Sequence, residues 1–313
     1  MIVPSTPTTL GEPAAPHPEG GVVSQFARLV RWELFLAWRR RAMMITLTSL
    51  LLVGYLLVLL AQYAVYYSYT ADASEAPEGL ARALTFPGAL GVGGSYISDA
   101  GLLLFVVLVG ALIGSEYSYS TLRLSLARGV GRGWLLAAQV VAVALLSLLL
   151  AGLGLLLSAL AGWLGLGLGL PAGYTATGSL PVEIVLYWLA LAYNLFAYAL
   201  ISIWIGTLSR SVAGAIAGPL VFIVVEVVAT NLLTAFGTVR TESQTLIAIA
   251  RLPEYLLGVN TSALVTWAGQ GPYELTTPVA SVSAAHALIV SLVYCALFIF
   301  ISYLALRHRD IVE

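Results

Sequence analysis

The sequence predicts an all-α integral membrane protein with six transmembrane helices and with both termini in the cytoplasm. Apolar residues make up 60% of the 313 residues and charged residues 9%, whereas soluble domains are about half apolar and about a quarter charged. Six apolar runs are long enough for the ~20 residues that a membrane helix needs. All fourteen positive charges are arginines. Most of them lie in segments that a six-span topology places in the cytoplasm, where positive residues are enriched.

The N-terminal part precedes the first apolar run. Residues 1–21 contain five prolines, and we predict a disordered cytoplasmic tail because so polar a segment cannot form a core. Residues 22–41 are predicted to form an amphipathic helix in the membrane interface, and the alternative is a helical extension of the first span into water. Its apolar stripe consists of Val23, Phe26, Val30, Leu34, Ala37 and Trp38.

One transmembrane domain is predicted over residues 22–313. Its spans cover about 43–66, 96–115, 135–160, 184–208, 212–236 and 281–306. This topology puts eleven arginines inside and three outside, whereas a seventh span would make the division ten and four. The open point is the uncharged stretch 133–182, which could hold one or two spans. We count one, because glycines and prolines interrupt residues 161–181.

The segment 238–280 is long for a simple outer connection. Its apolar part, LIAIARLPEYLLGVNTSALVTWAG, predicts re-entrant or surface-lying helices that are broken at Pro253. Asn260 and Ser262 complete a glycosylation sequon, which we interpret as a chance match.

The composition excludes several activities for this chain. It contains no lysine, so neither the phosphate-binding loop of an ATPase nor Schiff-base catalysis is possible. The three histidines have no neighbours at metal-ligand spacing, and the aspartates fall in loops or at span ends, where no intramembrane aspartyl pair can form. A net charge of −1 gives no field to attract nucleic acid. We therefore predict no enzyme, no metal and no cofactor bound by this chain.

Glu226 is the exceptional residue within the predicted spans, because it lies midway along the fifth. An acidic residue at that depth is costly, and two interpretations stay open: a role in a proton relay or substrate contact, and a structural hydrogen bond. Asn194 in the fourth span could bond across helices or simply pack. Gly214 and Gly218 form a small-residue face that lets helices approach closely.

A patterned basic loop, GSEYSYSTLRLSLARGVGRGW, follows the second span. We predict that it forms a short helix on the cytoplasmic surface. Glu116, Ser120-Thr121-Leu122-Arg123 and Leu126 to Arg132 resemble the loop of the permease subunits of type-2 ABC exporters, in which E-x-x-x-G-T-L-R precedes P/G-V-S-R. Ser120 replaces the usual glycine, and Gly131 replaces a serine. Residues 252–264 are also similar to that family's outer region.

The resemblance implies an export permease in the plasma membrane of a prokaryote. In that family the loop is a coupling helix that docks on a separate ATP-binding subunit, which binds ATP and Mg²⁺, and two permease copies or similar chains form the path. By position, the ATPase-coupling segment would contain Glu116, Thr121, Leu122, Arg123, Leu126, Arg128 and Arg132. Leucines would anchor in an apolar groove, and arginines would pair with carboxylates or anionic lipid. A role in setting topology alone explains Arg128 and Arg132 nearly as well, and Arg123 less well.

Two other functions stay open. An ion- or proton-coupled secondary transporter would use Glu226, although the internal repeats typical of such transporters are not evident. A membrane anchor or assembly factor with no transport activity would need none of these residues. The substrate cannot be read from the sequence.

Overall fold

The computed structural model of the protein describes residues 22–71, 78–118, 131–170, 179–237, 251–271, 273–276 and 282–307. Within these ranges all regular structure is helical. Six helical stretches are long and apolar enough to cross a membrane, which confirms the predicted number of spans among the described residues. They are Arg41–Tyr69, Ala89–Tyr117, Arg132–Gly167, Leu180–Ser209, Val212–Ala235 and Ala284–Arg307.

The described residues contain ten α-helices, one π-helical turn and one 3₁₀ turn. In chain order they are α1 (Val22–Arg39), α2 (Arg41–Ala71), α3 (Glu78–Leu84), α4 (Ala89–Tyr96), a π-helical turn (Ile97–Gly101), α5 (Leu102–Ser118), α6 (Arg132–Gly167), α7 (Leu180–Ser209), α8 (Val212–Gly237), a 3₁₀ turn (Leu252–Tyr255), α9 (Leu257–Ala268) and α10 (Ala284–Arg307). The second span consists of α4, the π-helical turn and α5. The other five spans are α2, α6, α7, α8 and α10.

The first four observed spans match the predicted ones in position but extend further at both ends, whereas the fifth and sixth agree with the predicted bounds to within three residues. The second begins at Ala89 instead of about residue 96, and the third runs to Gly167 instead of about residue 160. An apolar run marks only the hydrocarbon-crossing part of a helix, whereas backbone hydrogen bonding continues into the interface. The stretch 133–182 holds one span in its described part, because α6 ends in a turn at Leu168–Leu170 where Gly169 has φ +83°.

α1 is a helix separate from the first span, because the non-helical residue Arg40 divides it from α2. The helix packs one face against the third span, and Ala37 is only 2% exposed there. Phe26 contacts the ring of Trp134 at a centroid distance of 5.3 Å. The predicted stripe is therefore largely a protein-facing surface, although its ends, Val23 and Trp38, are exposed. The exposed aromatic side of α1 remains suited to the interface.

Spans two and four form the centre of the bundle. Buried residues make up 61% and 56% of their apolar windows, compared with 17% in spans one and five. Glycines bring the second and fifth spans together, because a Cβ on Gly114 would lie 2.6 Å from the Cα of Val212. The fourth and fifth spans form a hairpin whose turn holds Arg210 in the left-handed region, at φ 51°. The fifth span is thereby fixed along its inner half.

The outer connection before the last span also folds back onto the bundle. α9 packs against the fourth and sixth spans, and its residues Leu257, Asn260 and Thr261 are almost fully buried. The 3₁₀ turn that contains Pro253 precedes it, so the predicted break at this proline is the start of a helical segment. Asn260 is 0% exposed and donates hydrogen bonds to the carbonyls of Glu254 (2.8 Å) and Leu256 (2.7 Å).

Candidate functional site

A buried polar cluster lies at the end of the bundle where spans two and three are joined, which we call the inner end because the predicted topology places it in the cytoplasm. It lies beside the segment that the resemblance identifies as coupling. Glu116 lies in the last turns of the second span and is 7% exposed. Its Oε2 accepts a hydrogen bond of 2.6 Å from Nε2 of Gln139 in the third span. The bond joins the second and third spans, which precede and follow the predicted coupling segment.

α1 and the residue that follows it contribute two further members of this cluster. The Glu33 carboxyl of α1 interacts with the Glu116 carboxyl, and Arg40 donates from Nη1 to the carbonyl of Ala111 at 2.9 Å. The cluster therefore links α1 to the second and third spans.

Burial shifts the acidity of Glu33. It raises the pKa of the Glu33 carboxyl above its ordinary value of 4.5, and the hydrogen bond with Glu116 lowers the pKa in part. A cavity of about 20 Å³ lies between Glu33, Arg40, Glu116 and Gln139, which is room for about one water molecule. This space is too small for an organic substrate.

Arg132 marks the other end of the coupling segment. Its Nη1 donates to the carbonyls of Leu306 and Arg307, both at 2.9 Å, so it caps the C-terminal end of the sixth span. Cationic side chains are favourable at this end of a helix. Arg132 therefore bonds to groups of its own chain, whereas the sequence resemblance predicts that it contacts a partner.

Most of the predicted coupling segment cannot be described further. Five of its residues lie outside the described residues: Thr121, Leu122, Arg123, Leu126 and Arg128. The two that are described, Glu116 and Arg132, are both bonded to other helices of the bundle. The predicted short helix between spans two and three lies outside the described residues. The predicted tail over residues 1–21 also lies outside them.

Glu226 lies against the outer helix α9, where it caps the N-terminal end. Its Oε1 accepts from the backbone N–H of Gly258 at 2.7 Å, and its Oε2 accepts from the hydroxyl of Tyr198 at 2.6 Å. A carboxylate at a helix N-terminus satisfies unpaired N–H groups and interacts favourably with the helix dipole. These contacts match the structural interpretation of Glu226.

A second carboxylate secures the other end of the same outer segment. Glu183, near the start of the fourth span, is 5% exposed and accepts from the backbone N–H groups of Gly271 and Tyr273. Trp267 adds a hydrogen bond of 2.9 Å to the carbonyl of Val282. Residues 257–276 are therefore attached to the bundle at both ends.

The remaining predicted residues have packing roles. Asn194 is 4% exposed, and no side chain or backbone group in the described part of the chain bonds to its amide. The neighbouring Tyr193 makes the cross-helix bond instead, to Ser291 at 2.9 Å. Gly214 and Gly218 lie against Ser209 and Ile205 of the preceding span, so their small-residue face is used within the chain.

Sequence reasoning missed three residues of these sites: Glu33, Gln139 and Glu183. Glu33 lies three residues after Val30 and four before Ala37, on the buried side of α1, and this helical spacing was a usable signal. Glu183 was considered only as the boundary of a span. Gln139 carried no signal beyond being a polar residue in an apolar run. Among the described residues no three His, Cys, Asp or Glu side chains come together, and we assign no metal site.

These features define a multi-pass helical membrane protein with polar clusters at both ends of its bundle. The chain belongs to the DUF2705 family, described as proteins of unknown function, whose family model matches residues 95–312. The match begins at Ser95, inside the second span, and covers the remaining spans. It includes both polar clusters apart from Glu33 and Arg40, which precede it. No curated protein is similar enough to this chain to count as a relative.

Proposed function

We propose that this protein is the permease subunit of an ATP-driven export system in the plasma membrane, and that it works with a separate ATP-binding subunit. A second permease copy, or a similar chain, would complete the path. The hydrogen bond between Glu116 and Gln139 carries the proposal. It joins the two helices that flank residues 119–130, and the Glu33 carboxyl adds α1 to the same cluster.

The mechanical consequence follows from these bonds. A force applied to the loop between spans two and three would pass directly to both spans, to α1 through Glu33, and to the sixth span through Arg132. Rigid helices and hydrogen-bond networks can transmit such coupling. An anchor or assembly factor would have no need for this linkage at a single loop.

The proton-coupled alternative has less support. It would use Glu226, yet both oxygens of that carboxylate already accept hydrogen bonds from Gly258 and Tyr198. A residue that exchanges protons during transport needs access to water or to a relay partner. The geometry instead favours a permanent cap on α9.

The test is a pair of substitutions in the coupling segment. On the predicted helix Leu122 and Leu126 share one face, and Leu124 lies on the other. We expect Leu122→Asp to abolish co-purification with the proposed ATP-binding subunit and to remove any stimulation of its ATP hydrolysis. Leu124→Asp, the matched control, should keep both. Equal effects of the two substitutions would contradict docking through the Leu122 face.

The topology can be tested in the same protein. A cysteine introduced at Ser211, in the turn between spans four and five, should react with a membrane-impermeant maleimide only from the cytoplasmic side. A cysteine at the exposed Ser262 should react only from the outside. Cys295, the native thiol, is 6% exposed and contributes little background. Labelling of Ser211→Cys from the outside would overturn the proposed orientation of the termini.

A further inference from the structure

A cavity of about 540 Å³ opens beside the outer half of the second span. It lies between α3, α4 and the π-helical turn on one side and α9 with the loop 274–276 on the other. Cavities of this size are typical of sites for small organic ligands. Asp99, which lines the cavity, lies 17 residues before Glu116 in the same span, or about 25 Å of helix, and none of the roles assigned above uses the cavity.

The second span is distorted where it lines this cavity. Residues Ile97–Gly101 form a π-helical turn inside an otherwise α-helical span, and such turns occur frequently at functional sites. Ser98 and Asp99 belong to the turn, and both line the cavity. A second irregularity lies across from them, because Glu274 has a φ of 46°, which is uncommon for a residue with a side chain.

Asp99 is a carboxylate inside the outer half of the membrane-spanning helix. It follows Ala89, the first residue of the span, by ten positions, or about 15 Å of helix. Within the part of the chain that the structure describes, no group donates a hydrogen bond to it. An acidic side chain inside a span is costly unless it has a partner. Since Asp99 lines the cavity, a ligand in the cavity can supply that partner.

A hydroxyl group beside Asp99 extends the same site. The hydroxyl of Ser95 donates to the carbonyl of Val92 at 2.9 Å, which leaves its oxygen free to accept. Ser98 also lines the cavity, but its Oγ is buried out of reach of a ligand. The two oxygens of the Asp99 carboxylate and the hydroxyl oxygen of Ser95 are acceptors for three donors, and three is the number that a primary ammonium group carries.

The other lining groups define the rest of the ligand. The charged side chains that line the cavity in the described residues are Asp99, Glu274 and Arg82, two negative charges and one positive. The apolar part of the wall includes Val92, Tyr187, Val265 and Leu275. A net negative, partly apolar cavity favours a cation that has an apolar body, and an aromatic wall residue adds to the attraction of cations.

We propose that this cavity binds an organic primary ammonium ion with a compact apolar group, and that Asp99 is its counter-ion. Ser95 completes the ammonium site, and the apolar wall accepts the body of the ligand. The proposal goes beyond the export function and does not depend on it, because the site lies within one chain and needs neither nucleotide nor the ATP-binding subunit.

The test measures binding to the full chain in lipid nanodiscs by titration calorimetry. The probes are phenethylammonium and 2-phenylethanol, an uncharged molecule of the same shape. We expect the ammonium ion to bind at least about tenfold more tightly than the alcohol, because a charge-assisted contact in a partly enclosed site is worth more than a neutral one. Asp99→Asn should weaken ammonium binding at least about tenfold and leave binding of the alcohol unchanged.

A matched control is available on the same side of the bundle. Glu254→Gln removes one negative charge outside the cavity and should leave the affinity for phenethylammonium within about twofold, since screened charges at a distance contribute little. Equal affinity for the two probes in the wild-type chain, or no binding of the ammonium ion, overturns the proposal even where Asp99→Asn fails to fold. Unchanged ammonium binding in folded Asp99→Asn also overturns it.

Discussion

Buried carboxyl groups occur at both ends of the bundle, and the two ends satisfy them differently. At the outer end, Glu226 and Glu183 accept hydrogen bonds from backbone N–H groups of the segment 257–276. At the inner end, Glu33 and Glu116 bond to each other, with Gln139 and Arg40 beside them. Backbone dipoles stabilise a carboxylate permanently, whereas a carboxyl pair is stable only while it holds a proton.

The difference separates a fixed part of the molecule from a responsive one. The outer segment is attached through its backbone N–H groups, which do not titrate. Its position therefore does not depend on proton supply. The inner cluster depends on charge and connects three helical elements next to the loop proposed to receive a partner. A change of charge or position there would be felt by α1 and by spans two and three together.

The largest effect is expected at the outer end. Glu226→Ala leaves the N–H of Gly258 and the hydroxyl of Tyr198 buried without an acceptor, and we expect a loss of about 2–4 kcal/mol in the free energy of unfolding. The loss should appear as a fall in Tm of the protein in detergent. Thr234→Ala, which removes only a bond within the exposed face of the same helix, should change stability by less than about 0.5 kcal/mol. A wild-type Tm for Glu226→Ala accompanied by lost transport would revive the functional interpretation.

A smaller effect, dependent on pH, is expected at the inner end. The pKa of Glu33 is raised in the folded protein, so the stability that its protonated form contributes is complete below about 4.5 and is lost as the pH rises through the folded pKa. Wild-type Tm should therefore fall between pH 4.5 and pH 8. Glu33→Gln keeps a neutral hydrogen-bonding group, and we expect it to exceed the wild type by about 2–3 °C at pH 8, or about 1 kcal/mol.

The control for this pH dependence is Glu254→Gln, which lies outside the cluster and should follow the wild-type curve. The comparison between the two ends would fail if Glu33→Gln showed the same fall in Tm with pH as the wild type. It would be sharpened if Glu33→Gln also altered ATPase coupling, because that result would assign the proton to the transmission path.

The smallest effect concerns the attachment of the sixth span. Arg132→Gln shortens the side chain that caps the carbonyls of Leu306 and Arg307, and we expect faster amide hydrogen exchange, by about three- to tenfold, in the last turn of that helix. The exposed Arg39 provides a control, because Arg39→Gln removes the same charge from the inner end without breaking a cap. Equal exchange in both variants would show that the cap carries no local stability.

The fold was predictable from the sequence because transmembrane helices depend on apolar length. Six apolar runs of sufficient length predicted six spans, and the proline and glycines after Trp163 correctly limited residues 133–182 to one span in the described part. The span ends were less accurate: Ala89 lies well before the predicted start of the second span. Three of the seven residues from Ala89 to Ser95 are glycines, which form helices poorly, so the sequence gave little reason to extend the helix through them.

The sites were only partly predictable, for a different reason. Glu226 was identified because depth in the membrane is readable from position. Its partner Gly258 was not, because the contact depends on how α9 folds back between spans. The pairing of Glu33 with Glu116 likewise joins residues more than eighty positions apart. The π-helical turn at Asp99 results from packing of the second span, which periodicity does not predict.

The burial of Asn260 has a practical consequence for producing this protein. Its amide nitrogen donates to two backbone carbonyls and has no exposed surface, although Thr261 and Ser262 complete an acceptor sequence for oligosaccharide transfer. A sugar attached there cannot be accommodated between α9 and the spans on which it packs. In a eukaryotic expression host, the glycosylated fraction would therefore consist of chains that received the sugar before the outer segment closed, and a gel shift would measure how many molecules had missed the native state.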